Sequence, residues 1–282
     1  EIGVRLVGSE MCIRDRIYMD KLNIGEYNMT KKNEYKILSL ACHAGKILLQ
    51  NGAEVYRVEN SVCQVAKSYG LIPQCFATLT CIIITLKNSD GEVVSLVERV
   101  NSRNTNLDKV YQVHTLLKNL SKYNYEELEN RLLEIEQDKP YSFPINILGN
   151  CLGAGFFTFL FSGNFHEFIA AFLCGILVAF TSKITDMLNL GVFFTNLLCG
   201  AISSGAACIF LRYGFITDVS IPIISTLMIL VPGVAFINSM RDLFSGDLVT
   251  GFSRLGEVAM IGTAIAVGSG IALKLLLDLG GV

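Results

Sequence analysis

In residues 33–50, Tyr35, Ile37, Leu38, Ala41, Cys42, Leu48 and Leu49 recur at helical spacing, and Asn51-Gly52 breaks the run as a C-terminal glycine does. A second helix is predicted over 53–69, with Val55, Val58, Val62, Val65 and Ala66 on its apolar face and Gly70 at its end. Residues 74–86 are rich in β-formers and read as two strands or one bent one. Asn88-Ser89-Asp90-Gly91 is a turn sequence, and 92–100 is the return strand of a hairpin. Helices follow over 108–120 and 125–136. The order ααβββαα predicts a small α+β domain of about 100 residues, long enough to bury a core of its own.

Beyond Pro140 the pattern changes. Five apolar stretches, 143–162, 165–181, 188–211, 219–239 and 255–277, approach the ~20 residues that span a bilayer. The second is the shortest. Short connections predict antiparallel neighbours, and Gly149, Gly153, Gly200, Gly205, Gly262, Gly268 and Gly270 offer small faces for close helix approach. The expected architecture is a membrane protein: an α+β domain over 30–140, then an all-α bundle of five transmembrane helices over 141–282.

The charges sharpen that division. Residues 1–142 carry 18 Lys+Arg and 18 Asp+Glu, whereas 143–282 carry five and seven, so a single soluble fold is excluded. Balanced charge, net −2, leaves no basic patch for nucleic acid. Arg131, Lys139, Lys183, Arg241 and Arg254 would flank one membrane face, and Arg212 and Lys274 the other, which predicts a cytoplasmic N-terminal domain and an external C-terminus. The nine cysteines (Cys12, Cys42, Cys63, Cys75, Cys81, Cys151, Cys174, Cys199, Cys208) form no C-x-x-C and read as buried hydrophobes or free thiols. Glu1–Arg16 looks like translated sequencing-adaptor sequence, so residues 1–18 are set aside as a non-native extension, with the natural start expected at Met19 or Met29.

No catalytic constellation is visible. Gly45-Lys46 lacks the rest of a phosphate loop, His166-Glu167 lacks the second histidine of a metalloprotease, and His43, His114 and His166 are far apart, so neither metal nor cofactor is expected. Glu54, Arg57 and Glu59 read as i,i+3 pairing with an acid at a helix N-terminus. The informative segment is Leu230-Val231-Pro232-Gly233, inside the fourth span. Proline lacks the N–H that the helix ladder needs, and glycine permits local unwinding. Such breaks at midplane hold polar substrates in transporters, although an ordinary packing kink is the alternative. Asn238, Arg241, Asp242 and Ser245 would share one face of the continuing helix. Arg241 suits a carboxylate; Asp242, with Asp247 and Glu257 nearby, suits a charge partner or proton carrier. The alternatives are interfacial anchoring and an Arg254–Glu257 pair. Lys183 and Asp186 read as a solvated loop pair, and Asn189 and Asn196 as lesser polar candidates.

These residues carry a resemblance. Gly52-Ala53-Glu54-x-Tyr56-Arg57-x-Glu59 resembles the N-terminal signature of the threonine/serine exporter family. Leu230-Val231-Pro232-Gly233, Asn238-x-x-Arg241-Asp242-Leu243 and Gly246-Asp247-x-x-x-Gly251 resemble its membrane signature, and Asp90-Gly91 and Arg99-Val100 fit between. The similarity runs from about 34 to 278. It implies a subunit of a bacterial inner-membrane exporter for small carboxylates or hydroxy amino acids (succinate, or threonine and serine), driven by the proton gradient and working by alternating access about Pro232-Gly233. The substrate-binding residues would be Pro232, Gly233, Asn238 and Arg241; Asp242, Asp247 and Glu257 would be proton-coupling groups or charge partners; and Gly52, Glu54, Tyr56, Arg57 and Glu59 would be the cytoplasmic-domain motif. The longest members have about ten spans, so a chain of five resembles the larger subunit of the split type. A small four-span membrane subunit would complete it, with homo-oligomerisation as a further partnership. Other classes left open are a membrane-tethered, hydrolase-like enzyme and a non-transporting scaffold subunit.

Overall fold

The computed structural model describes residues 31–87, 93–138 and 141–280. The expected extension over 1–18, the Asn88–Gly91 turn and Lys139 lie outside the described residues. The chain divides into two compact units: one holds residues up to Ala53 and Arg57–Ile135, the other Glu54–Tyr56 with Glu136–Val282.

In the first unit, α1 (Lys31–Gln50) and α2 (Val55–Ser68) precede β1 (Pro73–Ala77), β2 (Cys81–Lys87) and β3 (Val93–Arg99). Helices α3 (Leu107–Lys118) and α4 (Tyr125–Gln137) follow, with a short 3-10 turn between them. The stretch of β-formers is therefore two strands, and the three form an antiparallel sheet in the order β1-β2-β3. Alternation along β2 buries Ile82, Ile84 and Leu86 on the face that meets the apolar side of α1. Pro73 opens edge strand β1, where a missing N–H is tolerated. Gly52, at φ +89°, gives the left-handed turn that ends α1, and Ala53 N donates to Leu48 O at 3.0 Å. Cys63 on α2 and Cys75 on β1 share a thiol hydrogen bond, which lowers the Cys63 thiol to about 7 and pushes Cys75 up. The described cysteines are free thiols.

The second unit contains α5 (Phe143–Leu160), α6 (Phe165–Met187), α7 (Gly191–Arg212), α8 (Ser220–Leu230), α9 (Gly233–Phe244) and α10 (Leu248–Gly280). Four of these are long and apolar enough to cross a membrane, or five spans if the bent α8–α9 pair is one. The apolar run of 165–181 underestimates its helix: α6 has 23 residues, and Lys183 and Asp186 occupy its exposed last turns rather than a loop. A polar helix end emerging past the apolar segment explains the difference. Asn164 and Glu167 close a capping box at its start, and Thr217 Oγ1 donates to Glu167 Oε1 at 3.2 Å. Thr158, Thr181, Ser225 and Thr226 return their hydroxyls to carbonyls four residues back, which satisfies these polar groups inside apolar helices.

Helices α7 and α10 approach each other closely at two glycines. A Cβ on Gly268 would strike the Leu197 carbonyl, and one on Gly200 would come within 2.9 Å of Ile265 O. At Gly149, Gly262 and Gly270, by contrast, a Cβ would meet nothing within 4 Å, so only part of the expected small face lies at a close crossing; Gly175, outside that set, makes another, where a Cβ would come within 2.8 Å of Asn150 O on α5. Gly268→Val is expected to cut the yield of monodisperse protein extracted in detergent several-fold, whereas Gly262→Val should leave it unchanged; fluorescence-detected size exclusion makes the comparison.

Candidate functional site

The site begins with the interrupted helix. Proline restricts the residue before it to extended geometry, and Val231 accordingly sits at φ −66°, ψ 124°. Gly233 N donates to Val231 O at 2.8 Å instead of making a helical bond, and Phe236 N reaches Pro232 O at 3.0 Å to restart the ladder. The two half-helices meet at 55°. Pro232 and Gly233 thus form a true break in the helix, and the polar residues of α9 lie beyond it.

Helix α9 ends at Phe244. Of the four residues expected on one face, Asn238, Arg241 and Asp242 lie within it and Ser245 is its exposed C-cap. The chain then turns through Gly246, with Asp247 N donating to Asp242 O at 2.9 Å. Asp247 stands just before α10, where its Oδ1 accepts from Thr250 Oγ1 at 3.5 Å and its charge suits the helix N-terminus. This reversal carries Arg254 back to Asp242, with Nη1 3.6 Å from Oδ2. Both side chains are buried, at 7% and 1% exposure. Arg254 therefore has a partner on α9 that the i,i+3 reading with Glu257 did not include; Glu257 itself is half-buried one turn further along α10.

Arg241 is paired differently. Its Nη1 meets Oε1 of Glu54, which lies in the same unit immediately before the first residue of α2. Glu54 is buried, while the Arg241 side chain is 49% exposed. Two consecutive residues, Arg241 and Asp242, thus anchor two ion pairs, and the four groups Glu54, Arg241, Asp242 and Arg254 sum to zero charge.

The residues of the N-terminal motif make different contacts. Glu54 reaches the broken helix, but Glu59 Oε1 accepts from Ala77 N at 2.8 Å and ties α2 to the end of β1. Gly52 makes the turn described above, Tyr56 is half-buried and Arg57 is exposed. Glu54 stands at the start of α2, as expected, and it also has a partner on α9; no periodicity could reveal a contact between residues so far apart in sequence. Among the described residues, no group of three or more His, Cys, Asp or Glu is arranged to hold a metal.

Removing one member of the buried Asp242–Arg254 pair leaves a charge in apolar surroundings. Arg254→Gln is expected to destabilise the protein by about 3–5 kcal/mol, and Asp242→Asn with Arg254→Gln by clearly less than the sum of the two single changes. Thermal unfolding of the four proteins in detergent measures this coupling.

Comparison with known proteins agrees with the motifs. Residues 39–276 match the family model described as threonine/serine exporter. The chain is 26% identical over 250 residues to a threonine/serine exporter of Corynebacterium glutamicum, covering 85% of this chain and 51% of that protein. It is 21% identical over 252 residues to the probable succinate transporter subunit YjjP of Klebsiella aerogenes, covering 87% and 96%. The corresponding Escherichia coli subunit is 21% identical over 254 residues, covering 88% and 97%. The chain thus spans about half the length of the Corynebacterium exporter and nearly all of the two named subunits. No solved structure matches it. With the family model covering most of its length, the chain belongs to the threonine/serine exporter family.

Proposed function

We propose that the chain is a subunit of an inner-membrane exporter that moves small carboxylates or hydroxy amino acids out of the cell. The observation that carries this reading is a half-exposed arginine, Arg241, one helix face beyond a break in a charge-poor apolar region. A guanidinium presents a planar fork of donors that matches a carboxylate, and an open half-helix lets the ligand reach it. Asn238 lies one turn before Arg241 and adds a polar contact, and the Pro232-Gly233 break supplies the hinge for alternating access. Asp242 acts as charge partner to Arg254, and Asp247 and Glu257 are the remaining acids beside the pathway.

In this reading the bent α8–α9 pair counts as one span, giving five transmembrane helices over 141–282. Residues 30–140 form a cytoplasmic domain that gates or assembles the complex, and the C-terminus is external. Lys183, Arg241 and Arg254 near the ends of α6, α9 and α10 support that sidedness. Relatives named as transporter subunits support a second membrane component, which we take to be a small four-span protein. The proton gradient is the proposed driving force.

Arg241→Ala should abolish efflux of threonine and succinate from preloaded cells, with the protein still in the membrane fraction at wild-type amount. Undiminished efflux by that variant would remove Arg241 from the pathway.

A further inference from the structure

Glu54 already occupies the position on Arg241 that a substrate carboxylate would need. It is buried and fixed at the start of α2, whereas the Arg241 side chain is half exposed. The helix that Glu54 precedes carries Arg57 and Glu59, and the charged groups on the other elements are Arg241 and Asp242 on α9, Asp247 in the turn, and Arg254 and Glu257 on α10. The two ion pairs are neutral together, so the charge of any ligand that enters must be balanced from somewhere.

A zwitterionic α-amino acid brings its own balance. Its carboxylate pairs with Arg241, its ammonium pairs with the carboxylate that Arg241 releases, and no charge is left over. A dicarboxylate cannot do this. It takes the guanidinium and adds negative charge beside the buried carboxylate of Glu54, a state that burial strongly disfavours. Protons from water must then bind, either on Glu54 or on the ligand, to restore neutrality.

Resting on the assignment of Arg241 as the anion seat, we infer that Glu54 is the specificity-determining residue of that site. Its carboxylate receives the ammonium of an amino-acid substrate and admits a dicarboxylate only together with protons. The pair is thus an internal stand-in for a zwitterion. Neutralising Glu54 removes the ammonium partner and leaves a positive seat suited to a plain carboxylate.

The test is equilibrium binding of L-threonine and of succinate to purified full-length protein, by calorimetry in buffers of differing ionisation enthalpy. Wild-type protein should bind threonine without net proton exchange and succinate with net proton uptake. Glu54→Gln should lower the threonine-to-succinate affinity ratio by about ten- to hundredfold and reduce the proton uptake that accompanies succinate. An unchanged ratio in a variant whose thermal unfolding matches wild type overturns the role of Glu54. So does proton-free binding of succinate to the wild type, a measurement that needs no variant. Arg241→Ala separates the anion seat from the role of Glu54: it should lose both ligands, and normal binding of both by that variant overturns the seat itself. Wild-type protein that binds neither ligand also overturns the seat, and with it the role of Glu54.

Discussion

A proline inside an apolar helix withholds one backbone donor, and in a membrane no water is at hand to meet the orphaned carbonyl. At Pro232 the chain stops α8 at Leu230, turns through an extended Val231, and restarts as α9 at an angle of 55°. The charged groups of the site follow from that restart. Because α9 runs only to Phe244, the reversal at Gly246 comes soon enough to carry Arg254 back against Asp242. Because α9 also presents Arg241, Glu54 can meet the residue just before Asp242.

Charge neutrality is the second constraint. A lone charge in apolar surroundings costs several kcal/mol, so the few ionisable residues of the membrane half need partners. Asp242 and Arg254 balance each other's charge in a buried ion pair that acts as a structural tie. Arg241 and Glu54 are asymmetric: the Glu54 side chain is buried and the Arg241 side chain is half exposed. That asymmetry separates a pair that holds the fold from one that can open to a ligand.

Much of the architecture was legible in local pattern. The β-formers over 74–86 placed strand there without deciding between two strands and one bent one, which the burial of Ile82, Ile84 and Leu86 along a separate β2 resolves, and the break at Pro232-Gly233 followed from the chemistry of proline. Features set at helix ends were less visible. Lys183 and Asp186 continue α6 because polar residues at a membrane boundary need not stop a helix, and Ser245 falls just past α9 because Gly246 ends it in a left-handed turn. Tertiary partners were not legible from spacing. Glu54 has the appearance of a helix-start acid, Arg254 has an acid one turn away, and only the folded chain gives each a distant partner. Arg241 and Asp242 were found as candidates through their position after the break; what the fold adds is which counter-ion each one has.

On the proposed assignment, Arg241 receives the carboxylate of a substrate while Arg254 remains closed on Asp242. An arginine-selective dicarbonyl reagent, followed by mass spectrometry of wild-type protein, addresses both guanidinium groups at once. Arg241 should be modified readily, and saturating threonine or succinate should slow that modification at least about fivefold, with Arg254 unreactive throughout. A modification rate at Arg241 that neither ligand changes would be incompatible with a carboxylate seat there.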